Sequence, residues 1–381
     1  MKKVHWLPSN LNVIIGPNGA GKSNLLRFLE LMSIAAQARL GKYIQSLGGM
    51  EPIVWDGQAT RLVCQLKMLP ADDENRAGLQ EALIYQLEMA RLGQSSAYRI
   101  EQENLAYDAQ SQIKQPLLKR AKLNGWIQDK TGQSLKIEEE IVSEEESLLS
   151  IASDPLIADA FIYQFKRQLA SWTIYHDIHV DRAAPIRQAV VTRSERRVEP
   201  DGQNLIAVLH TLYTENREFR YDLNAAMRSA FGNEFEELLF PPAADQRTQL
   251  RVIWKSLKRG QSAAELSDGM LRFLLLLTIL ASPSPAPLIA IDEPEMGLHP
   301  AMLPIVAEYA VGAADKTQVI LTTHSPQLLN AFTDTRPTIT VAMCDQGETH
   351  LNNLTDEALD YWLKEYALGT LFTSGELEDL V

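Results

Sequence analysis

Residues 16–23 read Gly-Pro-Asn-Gly-Ala-Gly-Lys-Ser, the complete phosphate-loop pattern GxxxxGK[ST]. Its glycines let successive backbone amides turn inward and wrap an anion. A helix starting at the loop adds the positive end of its dipole. In such a loop Lys22 reaches the β- and γ-phosphates and Ser23 can hold Mg²⁺. The flanks supply the context this requires. Leu11-Asn-Val-Ile-Ile15 reads as a short buried strand entering the loop. Ser23 to Ala38 reads as a helix with Leu25, Leu26, Leu29 and Met32 on one apolar face.

Farther along, two more apolar runs end in reactive side chains. Leu288-Ile-Ala-Ile-Asp292-Glu293-Pro294 is a buried strand closed by two carboxylates. Asp292 at the strand tip would orient the Mg²⁺ shell, and Glu293 would sit beside the attacking water as general base. Alone, such a pair is usually a solvated loop feature; after an apolar strand and together with a phosphate loop it points to catalysis. The C-terminal ends of neighbouring parallel strands are where α/β sheets place ligands. Val319-Ile-Leu-Thr-Thr-His324-Ser325 is a further buried strand, ending in histidine. His324 is either a capping histidine or a group that hydrogen-bonds the γ-phosphate or the water and reports which nucleotide is bound. Leu266-Ser-Asp-Gly-Met-Leu-Arg272 opens a helix running to Leu280, with Ser267 as N-cap. It is either simply a capped helix or a second anion-binding helix start, Ser267 and Gly269 being offered across a dimer interface.

Between about Arg61 and Val142 the period changes to strand-like alternation, clearest at Leu83, Tyr85, Leu87 and Met89. Tyr98–Ile100 and Leu135–Ile137 are further strands. Asn124-Gly125 and Lys130-Thr-Gly132 are turn signals between strands. Asp154-Pro155 predicts a helix start, with Ile157, Phe161, Phe165 and Leu169 on one face. Thr173 to Val180 predicts a strand, Arg182 to Asp201 a polar loop, and 204–213 and 220–231 helices. The final third alternates: strand 250–254, helix 268–280, strand 288–291, helix 301–310, strand 318–322. That order implies an α/β fold with a mostly parallel sheet covered by helices. No internal repeat and no long heptad array is visible.

A length of 381 residues suggests two domains, or one with an elaborated lobe. With 45% hydrophobic and 22% charged residues, a disordered or fibrous chain is excluded. A net charge of −13 excludes nucleic-acid binding over the whole surface; DNA contact would need a local basic patch or a dimer groove. Cys64 and Cys344 make neither a disulfide framework nor a metal cluster, and fit a reducing cytoplasm. The start has no signal-peptide core. The longest apolar run, Phe273 to Ala281, is about half of the roughly 20 residues that span a bilayer. A soluble cytoplasmic protein with no membrane contact is expected.

The four motifs, in this order, resemble the ABC-class ATPases: Walker A, signature, Walker B and switch histidine. The segments GPNGAGKSNLL, LSDGMLRFLLLL, IDEPEMGLHP and LTTHSPQLL are similar to the soluble SMC, RecF and OLD-like branch, whose members include AAA-family and RecF-like ATPases. Trp362–Glu376 is similar to the end of the same group. The resemblance implies a P-loop NTPase fold with an antiparallel β lobe and a helical lobe. The expected division is 1–60 with 285–381 as the nucleotide-binding core, 61–180 as the inserted β lobe plus core strands, and 181–284 as the helical lobe. It implies ATP and Mg²⁺ as cofactors, with Asn18, Gly19, Gly21, Lys22, Ser23 and Asn24 at the nucleotide and Ser23, Asp292 and a glutamine at the metal. Gln58 and Gln65 are available for that glutamine, and Gln58 is favoured. It also implies a head-to-tail homodimer in which Lys22, Ser23, Asp292, Glu293 and His324 of one copy face Ser267 and Gly269 of the other.

The sequence departs from the family pattern in places. Only nine residues precede Asn10, where relatives carry a strand and an adenine-contacting loop; a different start, a lost strand, or His5-Trp6 in that role would each account for this. Glu295 and His299 stand where transporter ATPases have a hydroxyl residue and an aspartate. His299 is either a coupling residue between two sites or a helix-start residue. Arg182, Arg187, Arg193, Arg196 and Arg197 form a candidate patch for DNA or another phosphate-rich partner, or an arginine loop paired with the acidic runs 138–140 and 144–146. No carboxylate cluster of nuclease type follows His324, so nuclease activity would reside in a separately encoded effector. The leading expectation is an ATP-hydrolysing switch in DNA maintenance or anti-phage defence. The alternatives are the ATPase subunit of a membrane transporter and a non-hydrolysing nucleotide-dependent scaffold.

Overall fold

The computed structural model describes residues 1–69, 82–93, 96–108, 116–151, 153–332, 335–354 and 368–375. Packing divides the chain into two compact units, Met1–Lys2 with Arg27–Trp172, and Lys3–Leu26 with Thr173–Val381. The breaks fall inside the helix after the phosphate loop and just before Thr173.

The unit that carries the loop is built on a six-stranded sheet. Its order is Glu348–Asn353, Thr338–Asp345, Leu11–Ile15, Gln318–Thr322, Leu288–Asp292, Thr173–Tyr175, and all neighbours are parallel except the first pair. The three central strands are buried almost throughout, which is why they read as unbroken apolar runs. Helices Leu205–Glu215, Arg217–Phe231, Asp268–Leu280 and Leu303–Ala314 add much of its core. Helix Asp268–Leu280 is buried at Leu271 and at every position from Phe273 to Leu280, so it shows no polar face. Among the described residues no helix is long and apolar enough to cross a membrane.

The other unit holds a six-stranded antiparallel sheet, with strands in chain order Arg61–Met68, Leu83–Arg91, Tyr98–Tyr107, Leu118–Ala121, Asn124–Gln128 and Ser134–Ile137. Alternation puts Leu83, Tyr85, Leu87 and Met89 inside. Helix Ala160–Ala170 adds Ile162, Phe165 and Leu169 to that core, with Phe165 against Tyr85 at 5.5 Å between ring centres. A buried polar clip closes it. Glu103 accepts the Leu148 and Leu149 amides (2.6 and 2.8 Å) and the Tyr85 hydroxyl (2.9 Å).

Several local expectations are corrected. The helix expected from Asp154 begins at Ala160, capped by Asp159, which accepts the Phe161 amide at 2.8 Å. Asp154 instead closes a turn through the Leu156 amide at 2.8 Å, and Ala158 bridges to Asp129, which keeps the chain extended there. The turn expected at Asn124-Gly125 lies two residues earlier, at Lys122-Leu123, where Lys122 takes φ 55°; Asn124 already pairs with Ala121. The helix after the loop spans Lys22–Ala35 and stops short of Ala38. Arg251–Trp254 joins a three-stranded antiparallel sheet with Phe235–Leu239 and Gln261–Ser262, outside the parallel sheet. The strand expected to reach Val180 ends at Tyr175. Beyond it the carbonyls of Ile178 and Val180 accept arginine side chains, Arg272 and Arg187, in place of a neighbouring strand. Of Trp362–Glu376, residues 368–375 are described and include helix Leu368–Ser374; the remainder lies outside the described residues.

Candidate functional site

Parallel register brings the C-terminal ends of four strands to one edge of the sheet: Ile15 with the phosphate loop, Tyr175 with His176, Asp292 with Glu293, and Thr322 with Thr323 and His324. The loop backbone is compact, with the Ala20 amide donating to Pro17 O at 3.2 Å and Leu25 to Gly21 O at 3.1 Å. Gly21 takes φ 101°, and a Cβ there would meet Thr349 Oγ1 at 2.5 Å, so a left-handed turn and a close approach both require glycine. Asn18, Gly19, Ser23 and Asn24 are exposed on the loop and first turn. Lys22 is buried, and its ammonium donates to Gly16 O at 2.8 Å and Pro17 O at 3.2 Å. Burial pulls its pKa below 10.5, against the opposing charges of Glu293, Asp292 and Glu295. A poorly solvated cation held by carbonyls alone is primed for an anion.

Asp292 uses its two oxygens differently. Oδ1 accepts the Thr322 hydroxyl, while Oδ2 accepts Ser23 Oγ at 3.2 Å and lies 3.9 Å from His176 Nδ1. Burial would raise the Asp292 carboxyl, but His176, Thr322 and Ser23 together outweigh it and hold it below its ordinary value, ionised. Adjacent oxygen ligands of an octahedral cation at about 2.0–2.1 Å stand roughly 3 Å apart. Ser23 Oγ and Asp292 Oδ2 match that spacing, so the pair fits a divalent metal.

Glu293 takes φ 47°, and its amide donates to Thr322 O (3.2 Å) and Oγ1 (3.1 Å). This turn sends its carboxylate off the line of the strand, with Oε1 3.6 Å from His324 Nε2. Glu295 lies beneath. It accepts Thr323 Oγ1 at 2.6 Å and the His324 amide at 3.0 Å, while its Oε2 is buried without a hydrogen-bond partner. Burial raises its pKa.

At the Asp268–Leu280 helix, Ser267 is exposed and caps the Met270 amide at 3.3 Å. A Cβ on Gly269 would lie 2.5 Å from Gly297 O, so this glycine lets the loop after Glu293 press against the helix start. Arg187 is buried, donating to the carbonyls of Val180 (2.7 Å), Asp181 (3.1 Å), Ala263 (3.3 Å) and Leu266 (2.7 Å) and to Asp268. It is therefore not part of a basic surface. Arg196 pairs with Glu215 at 2.7 Å and Arg197 donates to the Ser284 and Pro285 carbonyls; both stay exposed, as do Arg182 and Arg193. His299 caps a short turn, its Nδ1 accepting the Ala301 amide at 3.2 Å, the helix-start alternative. Trp6 donates to Thr340 Oγ1 at 3.0 Å and is half-buried; His5 is exposed. Gln58 closes the turn Trp55–Gly57 in the other unit.

Sequence reasoning missed His176 and placed Arg187 on a surface patch, where the structure buries it. His176 was legible in principle as the residue after a strand. A strand drawn through to Val180 hid it, because a mid-strand histidine is not at a ligand edge. Arg187 carried no local signal.

A family model described as "AAA domain, putative AbiEii toxin, Type IV TA system" matches residues 11–62 and 192–330, just over half of the chain. No curated protein matches the sequence. An SMC head bound to the C-terminal winged-helix domain of ScpA is similar in structure at TM-score 0.51 and 12% identity, over 93% of each chain. An SMC head with an extended coiled coil from Pyrococcus furiosus gives 0.47 at 13% identity, covering 93% of this chain and 92% of that one. The SMC head from Thermotoga maritima gives 0.36 at 12% identity, covering 91% and 92%. The chain belongs to this AAA-domain family, is a P-loop ATPase, and shares its fold with an SMC head.

Proposed function

We propose that the chain is an ATP-driven switch that closes into a head-to-tail homodimer on ATP and opens on hydrolysis to ADP and phosphate. The supporting observation is the exposed Ser267 tip, which Arg187 and Gly297 hold from behind. A rigid, capped, outward-facing helix start suits a second copy's γ-phosphate. Lys22 and the amides of Asn18 to Ser23 take up phosphate charge, and Asn24 and Gly269 line the nucleotide. Ser23 and Asp292 hold Mg²⁺. The metal supplies charge neutralisation at the phosphates. Glu293 receives the proton of the attacking water, and His324, beside it, senses the γ-phosphate. The ligand favours the closed dimer because only there are both faces of the triphosphate contacted.

The biological role we assign is DNA maintenance or anti-phage defence, through a separately encoded effector such as a nuclease. The SMC head of similar fold carries a protein partner, which supports a partner here too. DNA is the further candidate, with the exposed Arg182, Arg193, Arg196 and Arg197 as its contacts.

Glu293→Gln should slow hydrolysis by about 10²–10⁴, as general-base loss does, and accumulate an ATP-bound dimer. Lys22→Ala should not bind ATP. Light scattering on Glu293→Gln with and without ATP is the test: a monomer mass in both conditions removes the switch.

A further inference from the structure

We propose that His176 is a ligand of the divalent cation through Nδ1, beside Ser23 and Asp292, and that it biases the site toward Mn²⁺ and Co²⁺ relative to an all-oxygen site. The proposal rests on the nucleotide-site reading above.

Strand Thr173–Tyr175 runs parallel to Leu288–Asp292 with Tyr175 opposite Ile291, so His176 comes level with Asp292. The chain is held on both sides of it. Tyr175 is in the sheet, and Ile178 O accepts Arg272 Nη2 at 3.0 Å. The Thr322 hydroxyl occupies Asp292 Oδ1, which leaves Oδ2 facing Ser23 at 3.2 Å and His176 Nδ1 at 3.9 Å. A hydroxyl and an imidazole thus both approach the same carboxylate oxygen. The His176 and Asp292 side chains are each 20% exposed, so neither is sealed from solvent.

Among the described residues no group of three His, Cys, Asp or Glu side chains could hold a metal by itself. One carboxylate, one imidazole and one hydroxyl are too few for a tight protein-only site. The remaining positions suit phosphate oxygens and water, so cation binding should require nucleotide. An oxygen-only shell suits Mg²⁺, whereas an imidazole strengthens later first-row ions in the Irving–Williams order.

The test uses the full chain with the non-hydrolysed analogue AMP-PCP and Mn²⁺ as spin probe. Pulsed electron paramagnetic resonance should show an imidazole nitrogen coupled to bound Mn²⁺ in the wild type. In protein labelled with ¹⁵N-histidine the coupling should change isotope. His176→Gln should remove it and weaken Mn²⁺ by about 10- to 100-fold, the usual effect of disturbing a metal site. Metal-free nucleotide binding should stay intact, as a check on folding. Nucleotide-bound Mn²⁺ with no histidine coupling, or a coupling that survives His176→Gln, overturns the proposal and leaves the nucleotide site standing. Failure of the wild type to bind AMP-PCP at all overturns both.

Discussion

Arg187→Ala should be among the most damaging single changes in the nucleotide-binding unit, although the residue touches no loop glycine and no strand-end carboxylate. Its side chain is 4% exposed and donates to four carbonyls, three of them on the buried residues Val180, Ala263 and Leu266. Truncation removes the donor to the Val180 and Leu266 carbonyls, at about 1–3 kcal/mol each and not additive because water enters the space, while the Asp181 and Ala263 carbonyls keep the Ala184 and Leu266 amides. A net loss of about 3–5 kcal/mol is expected, the range for breaking a buried charged network. At about 2–4 °C per kcal/mol for a unit of this size, melting should fall by roughly 6–20 °C. The Asp268 partner contributes little by comparison. Asp268 is 66% exposed, so Asp268→Asn should cost about 0–1 kcal/mol. Scanning calorimetry of both variants separates the two sources, and ATP turnover should drop in Arg187→Ala at temperatures where it remains folded. A melting temperature within about 2 °C of wild type refutes the reasoning. Equal losses in the two variants would place the energy in the ion pair and not in the carbonyls.

Ser267→Arg should block hydrolysis while leaving ATP binding intact, since the exposed tip is proposed to meet a second copy; full turnover in this variant removes the composite site. Glu295 supplies a pH dependence. Burial raises its pKa above 4.5, so its contribution to stability is present at low pH and lost as pH rises through the raised value. Glu295→Gln should therefore gain on wild type in denaturant midpoint as pH climbs from acid to neutral, and a difference that stays constant with pH would contradict the raised pKa. Burial pushes the Cys64 thiol up to about 12, whereas Cys344 is exposed. One thiol should titrate with a disulfide reagent in the native protein and two in denaturant; two fast thiols in the native state would contradict the packing around Cys64.

Sequence reading worked best where local chemistry and periodicity act together. The loop 16–23, the strand ends at Asp292 and His324, and the Ser267 cap could be placed from residues alone, because each couples an apolar run to a turn or cap of fixed geometry. It worked less well where tertiary partners compete with local signals. Asp154-Pro155 is a good helix start, yet the Ala158 bridge to Asp129 delays the helix to Ala160. Thr173 to Val180 alternates like a strand, yet two arginines take its later carbonyls.

By itself the sequence determined the class of chemistry: a phosphate cradle, a carboxylate pair and a histidine, each fastened to a strand or helix whose pattern repeats within a few residues. Tertiary structure alone decided that Arg187 is an internal strut and that His176 stands at Asp292. It also decided that Gly269 is small because Gly297 presses on it. Those facts depend on contacts between residues tens of positions apart. Neither composition nor period encodes which side chain will meet which carbonyl once the sheet has set the register.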